Sequence, residues 1–310
     1  MSNFKKEIAI PKSNPDFYVH VDGYLMKELN EFRNQNNFTV LSKNGITSEY
    51  ITSGSGKKTL LIFHGAMGNA ETTYNRILQL QSEYNIIAPS IKGFKNLNQF
   101  FIGIDNILKE EKVETLYVYG GSFGGLMAQS YFYHAFHRIE KLILSFTFPP
   151  LPEWIWYFKL MIFVAHIVPY SLLFKILSRE LLKLTKVDVN LTEEQVKRVK
   201  FFKCFFTEIF KTKITKKDAL CQIKLVLDSM KLNKIPFQDW KGQVLVVTSN
   251  TDSNFKYHER LKEQFPNVSD IIYENTGHLG TIIKENEFMV SFREFLLSKS
   301  ILQNRYEQKK

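Results

Sequence analysis

The chain has 310 residues, of which 44% are hydrophobic and 23% charged, and 41 Lys and Arg against 31 Asp and Glu give a net charge of +10. Such values are ordinary for a globular domain or two and exclude disordered and collagen-like chains. Two cysteines, Cys204 and Cys221, cannot build a disulfide framework or a four-ligand zinc site.

The first twenty residues are broken by charges and prolines and lack the apolar core of a signal peptide, so the chain reads as a protein of the reducing cytoplasm. Residues 1–36 precede the first strand signal, and Tyr24–Arg33 within them has helical spacing. Short β-branched runs then predict strands at Phe38–Leu41, Glu49–Thr52, Thr59–Phe63, Asn85–Ala88, Leu116–Tyr119, Leu142–Phe146, Val244–Thr248 and Asp270–Tyr273. Several are apolar throughout, as strands buried on both faces of a parallel sheet are. Between them, Thr72–Glu83, Leu97–Glu110, Gly125–His137, Tyr257–Phe265 and Glu287–Leu302 have helical periodicity. This alternation predicts an α/β domain.

The alternation stops after Phe148 and resumes near Gln243. The intervening residues are mainly helical in pattern and too long for an ordinary connection, so they read as an inserted subdomain. Within them, Trp154–Phe174 is nearly long enough to span a bilayer. Lys159 in its middle, Pro169 and the surrounding α/β pattern argue against a span. From Lys175 to Lys224 there are thirteen Lys or Arg and six acids, so this window carries +7 of the net +10. A solvated helical face explains the cluster, and attraction of the insertion to an anionic membrane surface is the second reading. No nucleic-acid motif accompanies the charge.

The sharpest motif is Gly120-Gly121-Ser122-Phe123-Gly124, which joins a strand directly to a helix. This is the G-x-S-x-G nucleophile elbow in its strand-turn-helix setting. The turn lifts the serine hydroxyl above the sheet, and small residues two before and two after it let strand and helix approach. A second element, Phe63-His64-Gly65-Ala66-Met67, ends a buried strand in a small-residue turn. There the N–H of Ala66, with Met67 as its alternative, can join that of Phe123 in an oxyanion pocket. His64 reads as a loop-orienting residue.

A serine hydroxyl needs a base and an orienting acid. Asp252 follows the strand Val244–Thr248, and His278 follows Asp270–Tyr273 in a Gly-His turn. Both stand just beyond strand C-terminal ends, where open α/β sheets place their sites. Glu274 is the reserve acid, and Asp105 reads as a helix-face residue. His134 and His137 read as structural, and His20, His166 and His258 have no partner pattern. No metal-ligand spacing, dinucleotide fingerprint or phosphate loop is present, so neither metal nor cofactor is expected.

The elbow, the His64-Gly65-Ala66 turn and the chain order Ser122, Asp252, His278 together resemble the α/β-hydrolase superfamily over about residues 37–310. The resemblance implies an eight-stranded, mostly parallel sheet at 37–148 and 239–310, with a helical cap at 149–238. It assigns Ser122 as nucleophile, Asp252 as acid, His278 as base and the Ala66 turn as oxyanion loop. A serine nucleophile argues against the aspartate-based dehalogenases and epoxide hydrolases. Ser90 stands where the family usually has Asp, and Gly121 where many lipases have His. The insertion is faintly similar to that of maspardin, a relative regarded mainly as a binding protein. The expectation is a serine esterase acting on a small or apolar acyl compound. Acyl transfer or peptide cleavage by the same triad, and a silent binding module, are the alternatives.

Overall fold

The apolar runs of the sequence form the middle of one sheet. In this computed structural model, residues 3–185, 190–232 and 240–298 are described. In chain order the elements begin with β1 (Phe4–Ala9), α1 (Gly23–Gln35), β2 (Asn37–Lys43), β3 (Ile46–Ser53), β4 (Thr59–Phe63), α2 (Tyr74–Leu80) and β5 (Asn85–Ser90). They continue with α3 (Leu97–Glu110), β6 (Leu116–Gly121), α4 (Phe123–Ala135) and β7 (Ile139–Ser145). Four helices follow: α5 (Ile155–Ile167), α6 (Tyr170–Leu184), α7 (Glu193–Lys213) and α8 (Lys216–Ser229). The chain then forms β8 (Gln243–Ser249), α9 (His258–Lys262), β9 (Val268–Tyr273), α10 (Gly280–Ile283) and α11 (Glu285–Leu297).

The strand order is β1-β2-β3-β5-β4-β6-β7-β8-β9. The pairs from β1 to β5 are antiparallel, and those from β5 through β4 to β9 are parallel. All five residues of β4 are buried. From β4 the chain crosses to β5 on one side and later to β6 on the other. That reversal opens a crevice outside the C-terminal ends of β4 and β6, where an open α/β sheet binds its ligand.

The sheet has nine strands rather than the expected eight. The extra strand, β1, lies in the segment read as a mere extension. Every one of its residues is exposed, and it is held by antiparallel pairing to the outer edge of β2. A strand fixed by backbone pairing, without a buried face, leaves no alternation of apolar and polar residues to read. The remainder of the segment packs inward through Ile10, Tyr18, Leu25, Leu29 and Phe32.

Two of the four helices between β7 and β8 begin at capping boxes. Thr192 and Gln195 form a reciprocal capping box at the start of α7, and Thr215 and Asp218 form another for α8. The apolar stretch Trp154–Phe174 is divided between α5 and α6 by Val168 and Pro169. Among the described residues no helix is long and apolar enough to cross a membrane. The boundary placed at 238–239 and the expected helix end at Leu302 lie outside the described residues.

Candidate active site

β6 runs into Ser122, whose backbone sits at φ 55° and ψ −123°. Its N–H donates to the Ser145 carbonyl (2.8 Å), and its own carbonyl accepts from the Thr147 hydroxyl (2.8 Å) and the Gly125 N–H (3.0 Å). These bonds hold a conformation that costs a non-glycine residue of order 1–3 kcal/mol. The flanking glycines are required by clearance. A Cβ on Gly120 would lie 2.2 Å from the Gly124 carbonyl oxygen, and one on Gly124 would lie 2.2 Å from that of Phe63.

His278 occupies a 3-10 turn after β9, reached through the left-handed residues Asn275 and Gly277. Its Nε2 lies 2.9 Å from Ser122 Oγ and its Nδ1 2.8 Å from Asp252 Oδ2. The Asp252 side chain is fully buried, and its other oxygen accepts from the Asn254 N–H (2.8 Å). With Nδ1–H donating to the carboxylate, the Nε2 lone pair is left facing the serine hydroxyl. Glu274, the reserve acid, is exposed. Asp105 accepts from Tyr131 and pairs with His134, and His258 pairs with Asp270.

The N–H groups of Ala66, just after β4, and of Phe123, at the start of α4, have no hydrogen-bond partner among the described residues. The N–H of Met67 is already committed: it donates to Gln222 Oε1 on α8 at 2.7 Å. The Gln222 amide also donates to the carbonyls of Gly68 (3.2 Å) and Ile91 (3.3 Å). Gln222 escaped the sequence reading. The available signal is a polar residue on the stripe Ala219, Gln222, Leu225 and Ser229, all of it buried.

His64 is locked between the Gly65 carbonyl at Nδ1 (2.8 Å) and the Ile91 N–H at Nε2 (2.8 Å). One ring nitrogen donates and the other accepts, so the ring is neutral. Burial pushes its pKa down to about 4, against the opposing Gly65 carbonyl and with a smaller push from Lys92. The unfolded chain binds this proton as pH falls through about 6.5, whereas the folded chain refuses it until about 4. Stability is therefore lost as pH falls across that window, by roughly 3 kcal/mol from this group. Urea unfolding should show a flatter dependence on pH between 7 and 4 for His64→Gln. Parallel curves for the two proteins would refute the assignment.

A cavity of about 380 Å³ lies over these residues. Its floor holds Ser122, His278, Ala66 and Gly121, and its wall is built from Phe174 of α6 and Phe201, Phe205 and Phe210 of α7. Arg76, Arg198, Glu28 and Glu285 line it elsewhere. Among the described residues no group of three or more His, Cys, Asp or Glu side chains is placed to hold a metal ion.

No protein-family model matches the sequence, and no curated protein does. Solved structures do match. An α/β hydrolase fold protein from Chitinophaga pinensis superposes with a TM-score of 0.65 at 15% identity, covering 84% of this chain and 98% of that one. The chain has the α/β-hydrolase fold. A thermophilic esterase from Thermogutta terrifontis shares it at a TM-score of 0.64 and 15% identity, over 82% of this chain and 95% of its own. The enol-lactonase from Burkholderia xenovorans LB400 does so at 0.67 and 13%, over 84% and 100%. The crevice beyond β4 and β6 is thus the one in which this α/β-hydrolase fold carries Ser122 and His278.

Proposed function

We propose that this protein is a serine hydrolase that cleaves a carboxylic ester or related acyl bond carrying a small or apolar acyl group. The observation that carries the reading is the placement of Ser122 Oγ and the Asp252 carboxylate on opposite nitrogens of His278, at 2.9 and 2.8 Å, beneath an aromatic-walled cavity. The esterase and enol-lactonase that share the fold support it.

In this reading His278 Nε2 takes the Ser122 proton as Oγ attacks the acyl carbon, and Asp252 stabilises the imidazolium that forms. The oxyanion is received by the N–H groups of Ala66 and Phe123, the second at the N-terminus of α4. His278 then returns the proton to the leaving alkoxide, giving the alcohol and an acyl-Ser122 ester. Water enters and attacks the acyl carbon as it loses a proton to the same nitrogen; the C–Oγ bond then breaks, the acid leaves, and His278 returns the proton to Ser122 Oγ. Helices α5 to α8 act as the cap, and their phenylalanines favour an apolar acyl chain.

The test is reaction with a fluorophosphonate followed by hydrolysis of p-nitrophenyl esters of graded chain length. Phosphonylation of the peptide carrying Ser122, with turnover of esters, is the expected result. A folded protein that neither reacts nor turns over any ester would make this a silent binding module. Gln222 enters as a positioning residue, because it ties the Ala66 turn to α8. Gln222→Leu should lower kcat about tenfold with KM little changed, since a loosened oxyanion donor acts on the transition state. A change confined to KM would remove it from this role.

A further inference from the structure

The outer side of α5 is not explained by the site beneath it. Its only charged or ionisable side chains, tyrosine aside, are Lys159 and His166, and Phe158 and Ala165 face inward. Trp156, Leu160, Phe163 and Ile167, spaced at i, i+4, i+7 and i+11, form an outward stripe at 77%, 61%, 63% and 68% exposure. A helix apolar on both its inner and outer sides is ordinarily covered on both. Large contiguous patches of this kind mark a contact surface.

Charge identifies what covers it. Lys159 lies over the Trp156 ring at 4.3 Å. After the short link at Val168 and Pro169, α6 turns Leu172 and Ile176 outward together with Lys175 and Arg179. Among the described residues Lys159, Lys175 and Arg179 have no carboxylate partner, whereas the nearby Glu180 is taken by Lys183. A second copy packed by a two-fold axis would set these cations against themselves. An anionic lipid surface accepts the stripe and the cations together. Thirteen residues make a helix of about 20 Å, short of the roughly 30 Å hydrocarbon core, so α5 fits lying in the interface.

We infer that the outer face of α5, with Lys159, Lys175 and Arg179, docks the protein on an anionic bilayer. Further along α6, Leu181 and Leu182 line the cavity, and Leu182 is half exposed. An acyl chain drawn from the bilayer would enter there, a consequence that rests on the hydrolase reading; the docking does not.

The experiment is flotation of the full chain carrying Ser122→Ala, so that turnover plays no part, with vesicles of phosphatidylcholine alone or mixed with phosphatidylserine. Binding to the mixed vesicles, weakened by added salt and much reduced on phosphatidylcholine alone, is expected. Leu160→Glu with Phe163→Glu should weaken it at least about tenfold, and Lys175→Gln and Arg179→Gln roughly fivefold each. Absence of flotation at low salt overturns the inference whatever the variants do. So does binding indifferent to the Glu pair, or a dimer in solution that the Glu pair dissolves without any vesicle binding. Wild-type protein that docks in the same assay but stays inert to fluorophosphonate would sink the hydrolase reading and leave the docking standing.

Discussion

Ser122→Ala should lower ester turnover by roughly a millionfold while leaving the thermal unfolding curve close to that of the wild type. The loss is large because nucleophile and base act as one unit. Without Oγ there is no acyl-enzyme, and His278 has no alcohol to activate. The fold should tolerate the change, since among the described residues the hydroxyl's one partner is His278, and the bonds that fix the elbow are made by the Ser122 backbone. Asp252→Asn should cost less, about ten-thousandfold, by releasing the imidazole into the tautomer that cannot accept the serine proton. Steady-state kinetics with a p-nitrophenyl ester measure both. Retention of a tenth of the activity by Ser122→Ala would mean that the chemistry resides elsewhere.

Arg33→Met should destabilise the protein by about 3–5 kcal/mol, the cost of removing one partner from a buried set of charges. Arg33 on α1 donates to Glu71 (2.5 Å) and to Glu208 on α7 (2.7 Å), and these three side chains are at most 3% exposed. Lys213 pairs with the other oxygen of Glu71, and the Tyr18 hydroxyl (2.7 Å) and Asn14 N–H (2.8 Å) donate to Glu208. Two cations balance two carboxylates. Deleting the guanidinium leaves two buried carboxylates to share a single lysine, whose pKa burial already holds below its usual value. The urea midpoint at neutral pH reads the effect. A loss under 1 kcal/mol would mean that water reaches the cluster. Its members come from the N-terminal segment, the turn after β4 and α7, so the same variant loosens the seat of the helices over the cavity.

Much of the fold is legible because burial writes a strong signal. Thr59–Phe63 and Leu97–Glu110 have the ends expected of them: the strand is buried throughout, and the helix opens on an Asn96 side chain that accepts from the Gln99 N–H. The elbow is legible because two backbone approaches near 2 Å leave room for glycine alone at 120 and 124. The hydrogen bonds joining Ser122, His278 and Asp252 connect residues named from chain order and from their places after strands. What could not be read is set by pairing at a distance. Gln222 and Met67 are 155 residues apart, and Arg33 and Glu208 are 175 apart. Neither pairing has a local pattern to betray it. For β1 the difficulty is different, since a strand without a buried face has no periodicity.

That strand has a bearing on how the chain behaves in a crowd. β2 carries Phe38, Val40 and Leu41, and its outer row of N–H and C=O groups would be a template for any passing extended chain were it bare. Residues 4–9 occupy that row and offer in its place an edge bearing Lys5, Lys6 and Glu7, with Lys5 anchored to Glu111 at 2.9 Å. Intermolecular pairing at this edge must bring such charges together, which opposes aggregation. Losing six exposed residues that contribute nothing to the core would thus endanger solubility before it touched the stability of a single molecule.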